Sequence, residues 1–104
     1  MPELIVDIVR FVDEAQPGVV ECVMTDAWGT AHAFIDKVPI FTTAELTERS
    51  SYPQPGVIAC GVLRRWRDSD GREIATVDTH EPWGVESTDG QIHFDVPASQ
   101  LTGL

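Results

Sequence analysis

Short apolar runs with a period of two residues, separated by turn residues, are the feature of this sequence that most limits its possible folds. Such alternation is typical of β-strands rather than helices. It predicts six strands, at residues 4–12, 19–26, 30–38, 57–67, 72–79 and 91–96. The linkers "DAWG" (26–29) and "DSDG" (68–71) end in glycine and predict tight turns between neighbouring strands. The pattern therefore indicates an all-β class.

One segment departs from this alternation. In "FTTAELTERS" (41–50), Thr42 precedes Glu45 by three residues, a spacing that resembles a capping box and predicts one short helical turn. With so little helix to cover a sheet, the strands must bury their apolar sides on each other. We expect a single domain over residues 1–104, built as a small antiparallel barrel of about six strands because closure removes exposed strand edges. A two-sheet β-sandwich is the alternative.

The charge balance limits the partners. The chain has 7 basic and 17 acidic residues, a formal net charge of −10. Phosphate backbones are repelled by such a surface, so nucleic acid is disfavoured and a protein with a basic surface, or a cation, is the better expectation. No apolar run approaches the roughly 20 residues that span a bilayer, and the N-terminus does not read as a signal peptide. Cys22 and Cys60 lie in apolar strands and are expected as buried thiols, which favours the cytoplasm.

One basic patch interrupts the acidic surface at "RRWRDSDGR" (64–72). By strand alternation Arg64 and Trp66 share one face, where a guanidinium can stack on the indole, and Arg65 and Arg67 share the other. The functional hypothesis is a docking spot for an acidic motif. Its candidate residues are Arg64, Arg65, Trp66 and Arg67. The alternative, which we favour, is that the arginines of this segment pair with local acids such as Asp68, Asp70 and Glu73.

The loop after the fifth strand contains the residues that most resemble a metal site. The candidate ligands are Asp78, His80, Glu81 and His93. Zinc would need three or four of them to converge, and their spacing matches no established ligand pattern, so we favour an ordinary surface loop. A hydrolytic triad of Ser87, His80 and Asp78 is weaker still, because Ser87 in "VESTDG" reads as a turn residue.

Trp83, in "EPWGVES" (81–87), has two interpretations. An exposed Trp83 would be a candidate partner anchor, since tryptophan is common at binding hot spots. A buried Trp83 would close one end of the barrel. We expect burial, because a tryptophan in a small domain usually packs against other residues.

The second half of the chain resembles a family of small bacterial proteins of unknown function. The similarity covers residues 37–101, and "YPQPG", "DGRE" and "PWGVES" are its most specific pieces. It implies a stand-alone cytoplasmic β domain and supplies no activity or site residues.

Together these observations predict a non-enzymatic protein-binding module without a cofactor, for example an immunity, inhibitor or regulatory protein. A metal-binding domain with its site at His80 and His93 is the alternative. Binding of single-stranded nucleic acid would need an aromatic and basic groove, which only the Trp66 hairpin offers and the net charge opposes. Pairing of exposed strands with a second copy of the chain is also compatible with the sequence.

Overall fold

The computed structural model describes residues 1–103, and its elements confirm the all-β class. Eight strands, one short α-helix and one 3₁₀ turn make up the regular structure of these residues. In chain order the elements are β1 (Glu3–Asp13), β2 (Val19–Thr25), β3 (Ala31–Lys37), α1 (Val38–Phe41), β4 (Gln54–Ala59), β5 (Gly61–Arg67), β6 (Glu73–Asp78), β7 (His93–Pro97), the 3₁₀ turn (Ala98–Gln100) and β8 (Leu101–Thr102).

The first sheet is antiparallel, with the strand order β3-β2-β1-β4. β4 pairs along one edge of β1 and β2 pairs along the other. The two-residue strand β8 pairs with Glu3 and Leu4, beyond the end of β2. β1 is therefore an interior strand of this sheet, which agrees with the apolar residues on both of its sides.

The alternation of β1 determines which of its side chains enter the core. Leu4, Val6 and Ile8 are buried, and Ile5 and Asp7 are exposed between them. The register with β2 shifts after Ile8. Because a bulge inserts one extra residue into a strand, it changes which side chains point inwards from there on.

The second sheet is antiparallel, with the strand order β5-β6-β7. The single strand predicted at 57–67 is in fact two strands, β4 and β5, which belong to different sheets. The chain passes from one sheet to the other at Cys60, whose side chain is buried and whose N–H donates to the carbonyl of Pro2 at 3.1 Å. The apolar run continues through Cys60 without interruption, so the sequence pattern gave no sign that one strand ends and another begins there.

The two sheets do not close into one continuous sheet, so the expected barrel is not confirmed. Two backbone hydrogen bonds connect them on the side away from Cys60. Ala27, in the β2–β3 turn, donates to the carbonyl of Asp95 in β7 at 2.9 Å, and Thr88 donates to Ala33 of β3 at 2.8 Å. These contacts bring the edge of one sheet close to the other without forming a strand ladder.

One buried apolar cluster contains side chains of both sheets. Phe34 of β3 meets Phe94 of β7 edge to face, with their ring centroids 5.5 Å apart. Val77 and Val96 extend the cluster through the second sheet. Shared burial of this kind is the main force that holds the two sheets together.

The helical turn predicted from Thr42 and Glu45 is wrong in position. Helix α1 lies just before it and ends at Phe41, and Thr42 is its C-terminal cap. The Thr42 hydroxyl instead accepts a hydrogen bond from the N–H of Ala44 at 3.1 Å, within a loop. Burial of Val38 and Phe41 favours the earlier turn, whereas Ala44, the apolar residue between Thr42 and Glu45, is exposed.

Candidate functional site

The basic segment forms a hairpin of β5 and β6, as predicted. Its turn is held by Asp68, whose carboxylate accepts the N–H of Asp70 at 3.0 Å and of Arg72 at 2.8 Å. Gly71 takes a φ of 80°, which favours glycine. β5 is an outer strand of the second sheet, and the hairpin therefore presents its arginines at the margin of the molecule.

Arg64 and Trp66 occupy the same face of β5, as strand alternation predicted. The Arg64 guanidinium lies 4.9 Å from the centroid of the Trp66 ring. The indole N–H of Trp66 donates to the Thr76 hydroxyl at 3.1 Å, and that hydroxyl donates to the Asp95 carboxylate at 2.6 Å. A chain of hydrogen bonds across three strands thus fixes the orientation of the Trp66 ring.

A residue that the sequence analysis treated only as part of a turn completes this site. Trp28, at the tip of the β2–β3 turn, is 54% exposed, and its ring centroid lies 6.2 Å from that of Trp66 at a tilt of 37°. The Arg72 guanidinium lies 5.6 Å from the centroid of the Trp28 ring. Arg64, Trp66, Trp28 and Arg72 form one row in which the two tryptophans lie between the two arginines, and we name this row the Trp28–Trp66 face.

The backbone around Trp28 is anchored to the second sheet. The Asp95 carbonyl accepts the N–H of Ala27, and the Ala27 carbonyl accepts a hydrogen bond from the Arg72 side chain at 3.1 Å. Asp95 therefore supports both halves of the face indirectly, through the Thr76 hydroxyl on the Trp66 side and the Ala27 backbone on the Trp28 side. Two tryptophans from different sheets are held in one arrangement.

Asp26 organises the turn that carries Trp28. Its carboxylate accepts the N–H groups of Trp28 and Thr30 at 2.9 Å each, and its other oxygen lies 2.8 Å from Nε2 of His32. Burial raises the pKa of Asp26, but the hydrogen bonds from His32, Thr30 and Trp28 outweigh it and leave the pKa lowered. The His32 ring in turn packs edge-on against Phe94 at 4.9 Å.

Local ion pairs involve two of the four arginines of the segment. Arg67 contacts Glu73 at 3.1 Å, and Arg72 contacts Asp68 at 2.8 Å. Within residues 1–103 no acidic partner lies within ion-pair distance of Arg64 or Arg65, both of which are exposed. Local acids therefore pair with two of the four arginines, Arg67 and Arg72. The guanidinium groups of Arg64 and Arg65 are unpaired in the described residues and lie on opposite faces of β5.

Trp83 is 63% exposed, so the expectation that it would be buried is wrong. Its loop does not fold back over the core, where the neighbouring Val85 is buried instead. Trp83 lines an open groove of about 510 Å³ together with Ile5, Ile40 and Val57. This groove shares no lining residue with the Trp28–Trp66 face.

The structure brings together only part of the metal-site candidates. Asp78 and His93 are cross-strand partners of β6 and β7, with the Asp78 carboxylate 3.9 Å from Nε2 of His93. His80 contributes its backbone N–H to Asp78 at 2.9 Å, and Glu81 is exposed in the loop. Across residues 1–103, no group of three or more His, Cys, Asp or Glu side chains is arranged to hold a metal ion.

Ser87 takes part in a turn, as its sequence context predicted. Its hydroxyl donates to the Asp89 carboxylate at 2.5 Å and accepts the N–H of Gln91 at 2.9 Å. The side chain is buried, and its hydrogen bonds lie within the turn rather than with His80.

Comparison of the chain with protein-family models, with curated proteins and with solved structures finds no match. Among the described residues, the helices are too short to cross a bilayer.

Proposed function

We propose that this protein is a non-enzymatic protein-binding module, and that its Trp28–Trp66 face receives an acidic segment of the partner. The observation that carries the proposal is the pairing of two tryptophans between two guanidinium groups, on a chain whose net charge is −10. Tryptophan and arginine are the residue types most enriched at binding hot spots. The positive charge of these arginines, on an otherwise acidic surface, is complementary to a partner segment rich in carboxylates.

The second support is the rigidity of this face before any partner arrives. The Trp66 indole is held by its hydrogen bond to Thr76, whose hydroxyl is held by Asp95, and the backbone of the Trp28 turn is held by Asp26 and by the Asp95 carbonyl. A surface that is already ordered loses little conformational entropy on binding, so more of the contact energy appears as affinity.

The third support is the free charge of Arg64. Because its guanidinium has no acidic partner within ion-pair distance in the described chain, a carboxylate can bind it without displacing one. Arginine presents a planar fork of donors that matches both oxygens of a carboxylate. The guanidinium also lies over the Trp66 ring, 4.9 Å from its centroid, where a cation–π contact favours this position.

Affinity capture from a native extract of the source cells, followed by mass spectrometry, tests the proposal. The comparison uses the unmodified protein, Trp28→Ala and Arg64→Glu, with Arg49→Glu as the control because Arg49 is an exposed arginine in a distant loop. We expect one identified acidic protein that is lost on the first two variants, retained on Arg49→Glu and released by moderate salt. A partner retained by both face variants would refute the proposal.

The exposed Trp83 is the competing docking position, and a Trp83→Ala variant is included for this reason. Loss of the captured partner on Trp83→Ala, with retention on Trp28→Ala, would place the interface at the groove of Trp83, Ile5 and Ile40. We expect the reverse.

Two finer features belong to the same proposal. We propose that the two sheets are halves of an open barrel, supported by the passage from β4 to β5 at Cys60 and by the hydrogen bonds of Ala27 and Thr88 opposite it. We also propose a cytoplasmic location, supported by the two free and buried thiols, Cys22 and Cys60.

A further inference from the structure

The four outer strands of the two sheets differ in how their free edges are covered. β3 receives a hydrogen bond from Thr88, and β7 receives one from Ala27. Helix α1 packs against β4, where the carbonyl of Phe41 lies close to Gly56. In residues 1–103, β5, like β4, has no backbone hydrogen bond beyond its ladder within the sheet. Its outer edge is therefore a row of backbone donors and acceptors that a further strand can pair with.

β5 is distinguished from β4 by its charge, because it contains three arginines and β4 contains no charged residue. Arg64, Arg65 and Arg67 are exposed along β5, and Leu63 beside them is 57% exposed. Lysine and arginine on an edge strand discourage pairing with another copy that bears the same charge. They favour an added strand that bears carboxylates, since opposite charges beside each other on neighbouring strands are stabilising.

From these observations we infer that the partner's acidic segment binds as an extended strand added to the outer edge of β5, an inference that rests on the proposed function. Successive residues of a strand point to opposite faces. Two adjacent acidic residues of the segment would therefore reach Arg64 on one face and Arg65 on the other. The residue that follows on the Arg64 face would lie beside Trp66 and is expected to be apolar or aromatic.

The register of β5 limits the length of the added strand. Its pairing with β6 is irregular between Val62 and Arg64, and regular from Arg64 to Arg67. A bulge bends and twists the strand that contains it, so addition is expected along the four residues 64–67. Backbone hydrogen bonds would supply the affinity. Arg64 and Arg65 would supply the preference for an acidic sequence.

A matched set of synthetic peptides tests this mode of binding. The probe is the capped peptide Thr-Glu-Glu-Val-Glu-Val-Glu-Thr, and its partner peptide has the same side chains with N-methyl groups on alternate amides, which block strand pairing but keep the charge. Titration into ¹⁵N-labelled protein, followed by NMR, is expected to shift the amides of residues 64–67 and to slow their hydrogen exchange. The N-methylated peptide is expected to bind about tenfold more weakly.

Two variants connect the peptide to the charges of β5. We expect Arg65→Glu to weaken binding of the acidic peptide about tenfold, because Arg65 is exposed and has no acidic partner within ion-pair distance in the described chain. Arg49→Glu changes the net charge equally at a distant loop and is expected to leave the affinity close to that of the unmodified protein.

The outcomes separate this inference from the function on which it rests. Equal binding of the two peptides, with binding of both lost on Arg65→Glu, would overturn strand addition and retain docking of acidic segments. No binding of the acidic peptide would overturn the strand-addition inference, while the capture experiment decides the proposed function separately. Tighter binding of an octathymidylate, or a dimer in sedimentation with β5 amides protected without peptide, would assign the edge to nucleic acid or to a second copy and overturn the inference.

Discussion

Replacement of Asp26 by alanine is expected to destabilise the protein and to weaken partner binding together. The carboxylate is the common acceptor for the N–H groups of Trp28 and Thr30 and for the ring of His32. Alanine removes all three hydrogen bonds without adding bulk. The turn that carries Trp28, a residue of the proposed interface, thereby loses its main support.

The expected loss of unfolding free energy depends on whether each of the three donors can bind water once the Asp26 carboxylate is removed. The amides of Trp28 and Thr30 lie in an exposed turn and regain water, so each costs about 0.5–1 kcal/mol. The His32 side chain is only 9% exposed and its Nε2 loses its partner, which costs about 1–3 kcal/mol. We expect the free energy of unfolding to fall by about 2–5 kcal/mol at neutral pH.

Urea denaturation followed by circular dichroism measures this loss. The control is Asp70→Ala, because Asp70 is an exposed turn aspartate whose side chain makes no hydrogen bond in the described residues. A loss for Asp26→Ala no larger than that of the control would refute the role assigned to the carboxylate.

The effect also has a definite pH dependence. The pKa of Asp26 is lowered in the folded protein, so its ionised form stabilises the fold fully above the ordinary aspartate pKa of about 3.9. That contribution is lost as the pH falls through the lowered pKa of the folded state. The difference in stability between the unmodified protein and Asp26→Ala should therefore shrink on acidification below about pH 4, and a difference that grows would contradict the reasoning.

Two further predictions concern the core. Gly56→Ala should cost about 1–3 kcal/mol of unfolding free energy, because its new Cβ would lie 2.9 Å from side-chain carbons of the buried Ile8; Gly61→Ala meets nothing within 4 Å and should be near neutral by the same urea assay. Burial raises the pKa of the Cys22 thiol to about 12 and of the Cys60 thiol to about 11. Both should react slowly with Ellman's reagent at mildly alkaline pH and quickly in urea, and fast reaction of the native protein would show that they are accessible.

The local sequence pattern predicted most of the strands but not the boundary between the two sheets. Alternation in β1 and the glycine turns placed most strands correctly, because the period of two and the preference of glycine for positive φ act over a few residues. The boundary at Cys60 was missed for the same reason. An apolar run reads identically whether its neighbours belong to one sheet or to two.

The candidate site was predicted in part. The arginines of β5 and the stacking of Arg64 on Trp66 follow from adjacency and alternation within one strand. Their partial neutralisation followed from nearby acids, as the contact of Arg67 with Glu73 shows. Exposure of Trp83 was not predicted, since composition alone does not tell whether a loop folds over the core or away from it.

The sequence by itself determined the β class, the acidic surface and the basic hairpin, each of which is a property of short segments or of composition. Only the tertiary structure placed Trp28 beside Trp66, left the edge of β5 uncovered and kept the metal candidates from converging. Contacts between residues distant in the chain depend on the register of several strands and on how two sheets pack. Those choices are made by the burial of the whole core, and no single segment encodes them.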